Sequence, residues 1–164
     1  MRNIVLVGDS QTGKSSFLRY LKGQEFTESY MVTLGKDMAT INHKNKSLLV
    51  HDMSSVERFE IICSHYYAHT CGALIFITKG TELDTWVEKL ELENEDIPIV
   101  VVHNKKDLGT RRPEDCKYPY IEISCKTGEN TNKVLPLLKI KEVKTLPPET
   151  WRTYFRHMSY CTVQ

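Results

Sequence analysis

The chain has 164 residues, a net charge of +1, and hydrophobic and charged fractions of 40% and 26%. That length suits one domain around one core. The near-neutral balance, with no basic run, gives no reason to expect a nucleic-acid partner, and no apolar stretch approaches a membrane span. Five cysteines (Cys63, Cys71, Cys116, Cys125 and Cys161) are odd in number and form no CxxC pair. They argue against a disulfide framework or zinc ribbon and for reduced thiols, so a cytoplasmic setting is expected. A strand-like run at the N-terminus leaves no room for a signal peptide, and Arg2 after Met1 does not fit myristoylation.

Apolar runs of strand length alternate with helical patterns. Asn3 to Val7 (NIVLV) is continuous, as for a strand buried on both faces. Lys14 to Leu21 reads as a helix. Asp37 to His43 and Ser47 to Asp52 flank the polar turn HKNK, which predicts an antiparallel hairpin. Glu57 to Thr70 is expected to be helical. Ala73–Thr78, Ile97–His103 and Tyr120–Ser124 are three further strands. Glu82 to Leu92 places Leu83, Trp86, Val87 and Leu90 on one helical face, and Asn130 to Ile140 is a last helix. Such alternation predicts an α/β fold, a parallel sheet covered by helices on both faces, with one antiparallel hairpin.

Directly after the first strand stands Gly8-Asp-Ser-Gln-Thr-Gly-Lys-Ser15, a match to G-x-x-x-x-G-K-[ST]. Backbone N–H groups of a tight loop, backed by a helix N-terminus, surround phosphate oxygens. Ser10, Gln11, Thr12, Gly13, Lys14, Ser15 and Ser16 are therefore candidate contacts. Lys14 would neutralise phosphate charge and the Ser15 hydroxyl would ligate Mg²⁺. The choice of base follows from Asn104-Lys105-Lys106-Asp107, which ends the strand VVVH. A carboxylate at Asp107 can accept two hydrogen bonds from guanine N1 and N2, which adenine cannot offer. Asn104 would approach N7, and the Lys105 stem would cover the base face. GTP or GDP is the expected ligand.

With these motifs placed, the chain resembles the Ras-like small GTPases, their Rab branch most closely, from Asn3 to about Lys139. The resemblance implies a small G domain of the P-loop NTPase class, with a mostly parallel six-stranded sheet. GDSQTGKSS is similar to the Rab phosphate loop, and Thr33-Leu-Gly-Lys-Asp37 to switch I. By the same resemblance Phe26 packs on the guanine edge and Tyr30 is the switch I tyrosine. Thr33 ligates Mg²⁺ in the GTP state, and Asp52 holds the ion through water. Arg58-Phe59 and Ser64-His-Tyr-Tyr67 resemble switch II. Ser124-Cys125-Lys126 resembles the SAK loop, whose backbone N–H at Cys125 meets guanine O6. Effectors would engage switch I and switch II, and the protein would be a monomer.

Two departures bear on chemistry. The family has D-T-A-G-Q where this chain has Asp52-Met-Ser-Ser-Val56. Ser55 replaces the glycine whose N–H meets the γ-phosphate, and Val56 replaces the glutamine that orients the attacking water. Valine can neither donate nor accept, and misplacing a reacting group by about 1 Å can cost about 100-fold. No catalytic residue is therefore assigned, and GTP hydrolysis is expected to be slow. Gln11 also stands where most of the family carries Gly or Ala; GDSQ is the spelling of the Rnd subgroup. Only sixteen residues separate Asp107 from Ser124, so the helix between these loops is expected to be shortened or missing.

The expected function is a guanine-nucleotide switch, using Mg²⁺ and acting in membrane trafficking or signalling. The alternative is a nucleotide-free pseudo-GTPase scaffold that works through protein contacts. Residues 1–144 would form the G domain and 145–164 a tail. The chain ends Cys161-Thr-Val-Gln164, which fits a C-a-a-X prenylation signal at Cys161 and a place at the cytoplasmic face of a membrane. Trp151, Tyr154, Phe155 and Met158 recur at helical spacing, and docking of that stripe on the domain is preferred to an interfacial helix. His65 and His69, with Cys63 and Cys71 nearby, lack the regular spacing of a zinc site.

Overall fold

The computed structural model describes residues 2–28, 33, 36–53, 66–109, 112–113 and 116–140. Six strands form one sheet: β1 Arg2–Val7, β2 Lys36–His43, β3 Lys46–Met53, β4 Ala73–Ile77, β5 Ile99–His103 and β6 Tyr120–Glu122. Their order is β2-β3-β1-β4-β5-β6. All neighbours are parallel except β2 and β3, the hairpin, which pair antiparallel with His43 opposite Lys46. Lys44 and Asn45 close that hairpin at φ 49° and 60°, the left-handed pair that matches strand twist in a two-residue turn.

Helices α1 (Lys14–Leu21), α2 (Leu83–Glu93) and α3 (Val134–Leu137) pack on the sheet. Phe17 and Leu18 of α1 join Val134, Leu135 and Leu138 over one face, with Ile4, Leu6, Leu74 and Phe76 beneath. Val87 and Leu90 of α2, with Tyr67, cover Val5, Val7, Ile75 and Val101 on the other. Strands β4 and β5 are buried along their whole length, which is why they read as unbroken apolar runs rather than alternating ones. Successive loops of such a sheet emerge at the carboxyl ends of the strands, and ligands bind there, where the strand order reverses. Here β1 lies between β3 and β4, so the loop after β1 occupies that point.

The helix expected over Asn130–Ile140 is much shorter. Thr131–Lys133 is a 3₁₀ turn and α3 holds four residues before the chain extends at Leu138. Pro136 accounts for this: a helix begun at Asn130 would place it in the interior, where it lacks an N–H and clashes with a carbonyl one turn back. At the start of a short helix it is tolerated. Strand β5 starts at Ile99 rather than Ile97, and β6 stops at Glu122 before the loop that carries Ser124. Between Gly109 and Pro119 there is no helix among the described residues, as the short spacing implied. Residues 66–68 are helical, while the rest of the expected 57–70 helix, with Ser55, Val56, His65 and Cys63, lies outside the described residues. So do Tyr30, the stripe from Trp151 to Met158, and Cys161.

Candidate nucleotide site

The phosphate loop turns away from β1 at Gly8, whose φ is 133° and where a Cβ would stand 2.1 Å from the Phe76 carbonyl oxygen. Glycine is the residue that permits both the angle and the approach. Gly13 caps α1 at φ 95°, and a Cβ there would meet the Asn104 side-chain nitrogen at 1.9 Å. Between them Gln11 takes φ 63°, a left-handed conformation uncommon for a residue with a long side chain. Glycine at this position would relieve the backbone.

Lys14 is buried, and its ammonium donates to the carbonyls of Gly8 at 2.8 Å and Asp9 at 2.7 Å. Burial lowers its pKa to about 8, against the opposing pull of the Asp52 and Asp9 carboxylates. A buried cation held only by neutral carbonyls is suited to an anion that supplies the missing charge. Thr12 also returns to the loop, its hydroxyl donating to the Asp9 carbonyl at 2.9 Å.

At the first turn of α1 the Ser15 hydroxyl donates to Asp52 Oδ2 at 2.5 Å and lies 3.0 Å from the Thr33 hydroxyl. Thr33 also donates to Asp52 Oδ2, at 3.3 Å. Asp52 is fully buried, its other oxygen Oδ1 accepts no hydrogen bond among the described residues, and burial raises its pKa. An orphaned buried carboxylate oxygen is costly. Two hydroxyls and a carboxylate converging there are hard oxygen donors of the type Mg²⁺ takes, so the residues fit such an ion.

The base loops meet at Asn104. Its side-chain nitrogen donates to the Thr12 carbonyl at 2.9 Å, and its oxygen accepts from the Cys125 N–H at 3.1 Å. One buried amide thereby joins the phosphate loop, the end of β5 and the loop after β6. The Cys125 N–H that the resemblance assigns to guanine O6 is thus engaged by Asn104 here. Ser124, buried, donates to Asp107 Oδ1 at 2.6 Å and so orients the exposed carboxylate. Lys105 bends the chain at φ 65°, and Lys106 pairs with Glu129. Lys126 pairs with Glu28 at 2.9 Å on the surface, and Phe26 is exposed. Ser10 and Gln11 lie at the exposed tip of the phosphate loop and Ser16 follows in α1.

One tie across the site escaped the sequence. The Trp86 indole of α2 donates to Asp9 Oδ1 at 2.8 Å. Asp9 is one of the unspecified positions of the phosphate motif, and a contact spanning 77 residues carries no local signal.

Known proteins similar to this chain point to one family. Residues 3–107 match the family described as Roc, the Ras of Complex domain of DAPkinase. The Ras-related protein Rab-11C of Dictyostelium discoideum is 31% identical over 150 residues, covering 79% of this chain and 67% of the relative. The Ras-related protein SEC4 of Saccharomyces cerevisiae is 29% identical, over 80% of this chain and 70% of the relative. The Ras and EF-hand domain-containing protein of Danio rerio is 35% identical over 68% of this chain, which spans only 18% of that longer protein.

Proposed function

The chain belongs to the Ras superfamily of GTPases, close to its Rab branch, and from that premise we propose a guanine-nucleotide switch that binds GTP or GDP with Mg²⁺ and hydrolyses GTP slowly. The observation that carries the reading is the Asn104 amide, which locks the phosphate loop to both base loops. A nucleotide reaching from Lys14 to Asp107 would touch every element that this amide fixes.

In this reading Lys14 transfers its ammonium from the two loop carbonyls to the β- and γ-phosphates. Inward N–H groups of residues 10–16 take the remaining oxygens. Asp107 reads guanine N1 and N2, held in place by Ser124, while Lys105 and Phe26 cover the base. Ser15 and Thr33 would ligate Mg²⁺, with Asp52 holding it through water; the ion would supply positive charge to the phosphates. No side chain of this chain is assigned to orient the attacking water, because Val56 stands where glutamine would do so. Ser55 adds a Cβ where the family's glycine brings an N–H to the γ-phosphate. The GTP form, with switch I and switch II presented to effectors, is then the resting form. A role in trafficking or signalling, and a farnesyl chain on Cys161 at a cytoplasmic membrane face, extend the same reading.

The scaffold reading draws on one observation: Lys14 is bonded to the Gly8 and Asp9 carbonyls, and Ser15, Thr33 and Asp52 are bonded to one another. Fluorescent GDP titration separates the two. The switch reading expects saturable, Mg²⁺-dependent binding competed by GTP and not by ATP; a folded protein that binds neither would leave the scaffold.

A further inference from the structure

Asp9 is the one acidic residue of the phosphate loop. Its carboxylate lies in the loop that is to receive a polyanion, and it is close enough to Lys14 to act on that ammonium's charge state. Its carbonyl is shared by two donors of the same loop, Lys14 at 2.7 Å and Thr12 at 2.9 Å. Its side chain is exposed but bonded: the Trp86 N–H donates to Oδ1 at 2.8 Å, and the Lys89 ammonium lies 5.1 Å from the Trp86 ring centroid. Trp86 itself packs against the α2-side core, so the donor is held by a rigid element rather than by a loop. An indole offers one donor and no acceptor, so it suits a carboxylate.

We propose that Trp86 is a positioning residue of the phosphate loop: its N–H holds the Asp9 carboxylate against α2, away from the bound phosphates, and fixes the carbonyl on which Lys14 waits. Freed from Trp86, the carboxylate can rotate about its side-chain bonds toward the phosphates. Its repulsion of the bound phosphates then favours release of nucleotide. The brace also couples α2 to the loop that grips the ligand. This role rests on the switch reading above, since it concerns the hold on nucleotide.

The test measures fluorescent GDP dissociation from the full chain, unaltered and as Trp86→Phe, Asp9→Ala and the double variant. Phenylalanine keeps most of the packing and removes the donor. The acceptor is charged but the bond is exposed to solvent, so W86F is expected to release GDP about three- to tenfold faster. With Asp9 already removed, the same change should alter the rate less than about twofold, because the acceptor is gone. Equal factors in both backgrounds would show that Trp86 acts by packing alone and would overturn the proposal, as would an unchanged W86F rate. Unaltered protein that takes up no GDP would sink the switch reading and this role with it; binding with an unchanged W86F rate would sink this role alone. A second readout leaves Trp86 intact. In Trp151→Phe one tryptophan remains, and its indole N–H resonance should move on adding GDP with Mg²⁺ and move again in D9A. A resonance blind to both would equally overturn the brace.

Discussion

Raising the pH above 8 should stabilise the nucleotide-free protein through Lys14 alone. Its ammonium is buried and its pKa is lowered to about 8, chiefly because burial disfavours the charged form, whereas an exposed lysine in the unfolded chain titrates near 10.4. Below pH 8 both states hold the proton, and folding bears the cost of burying the charge. Between about 8 and 10.4 the unfolded chain binds more protons than the folded one, so stability rises with pH. For a folded value of about 8, linkage gives a gain of about 1.4 kcal/mol between pH 7 and pH 9. Urea denaturation of protein stripped of nucleotide, at pH 7, 8 and 9, measures it. Lys14→Met serves as reference, since it is neutral throughout and keeps the shape of the stem. The stability of the unaltered chain relative to K14M should climb by that amount as the pH rises. Parallel profiles would mean that the ammonium is not buried against a desolvation cost, and the account of Lys14 as a cation awaiting phosphate would fail.

Asn104→Ala should cost about 2–4 kcal/mol in urea denaturation, because it leaves both the Thr12 carbonyl and the Cys125 N–H without their buried partner; a loss under about 0.5 kcal/mol would show that the three loops hold together by other means. Gly13→Ala should remove detectable GDP binding, since its Cβ would fall on the Asn104 side chain and α1 could not start at φ 95°; retained affinity would contradict the loop geometry. Ser55→Gly with Val56→Gln should raise single-turnover GTP hydrolysis by about 10- to 100-fold, and an unchanged rate would move the cause of slow turnover elsewhere. Mass spectrometry of protein from eukaryotic cells should find a prenyl group on Cys161, and an unmodified Cys161 with Gln164 still present would refute lipidation.

Much of the site was legible because its chemistry is local. GDSQTGKS, NKKD and SCK each stand at the end of an apolar run, and the sheet brings strand ends to one edge whatever lies between them. The hairpin was legible for the same reason, its polar turn falling between two strand patterns. What could not be read is what crosses the chain. Asn104 appeared as a ligand for the base, yet its amide spends both ends on Thr12 and Cys125, 92 residues upstream and 21 downstream. Trp86 appeared as one residue of an apolar helical face, because periodicity reports burial and is silent about an indole N–H. Pro136 was the one local signal misweighed: the apolar spacing after Asn130 favoured a long helix, and a single missing N–H ended it early.

The central claim is that this chain holds a guanine nucleotide and converts it slowly. Denaturing freshly purified protein and identifying the released nucleotide by chromatography tests it most directly. The account predicts a guanine nucleotide in stoichiometric amount, with GTP exceeding GDP. Folded protein that releases no guanine nucleotide, and takes none up when offered GTP with Mg²⁺, would contradict it; GDP alone would contradict slow hydrolysis while leaving the binding site intact.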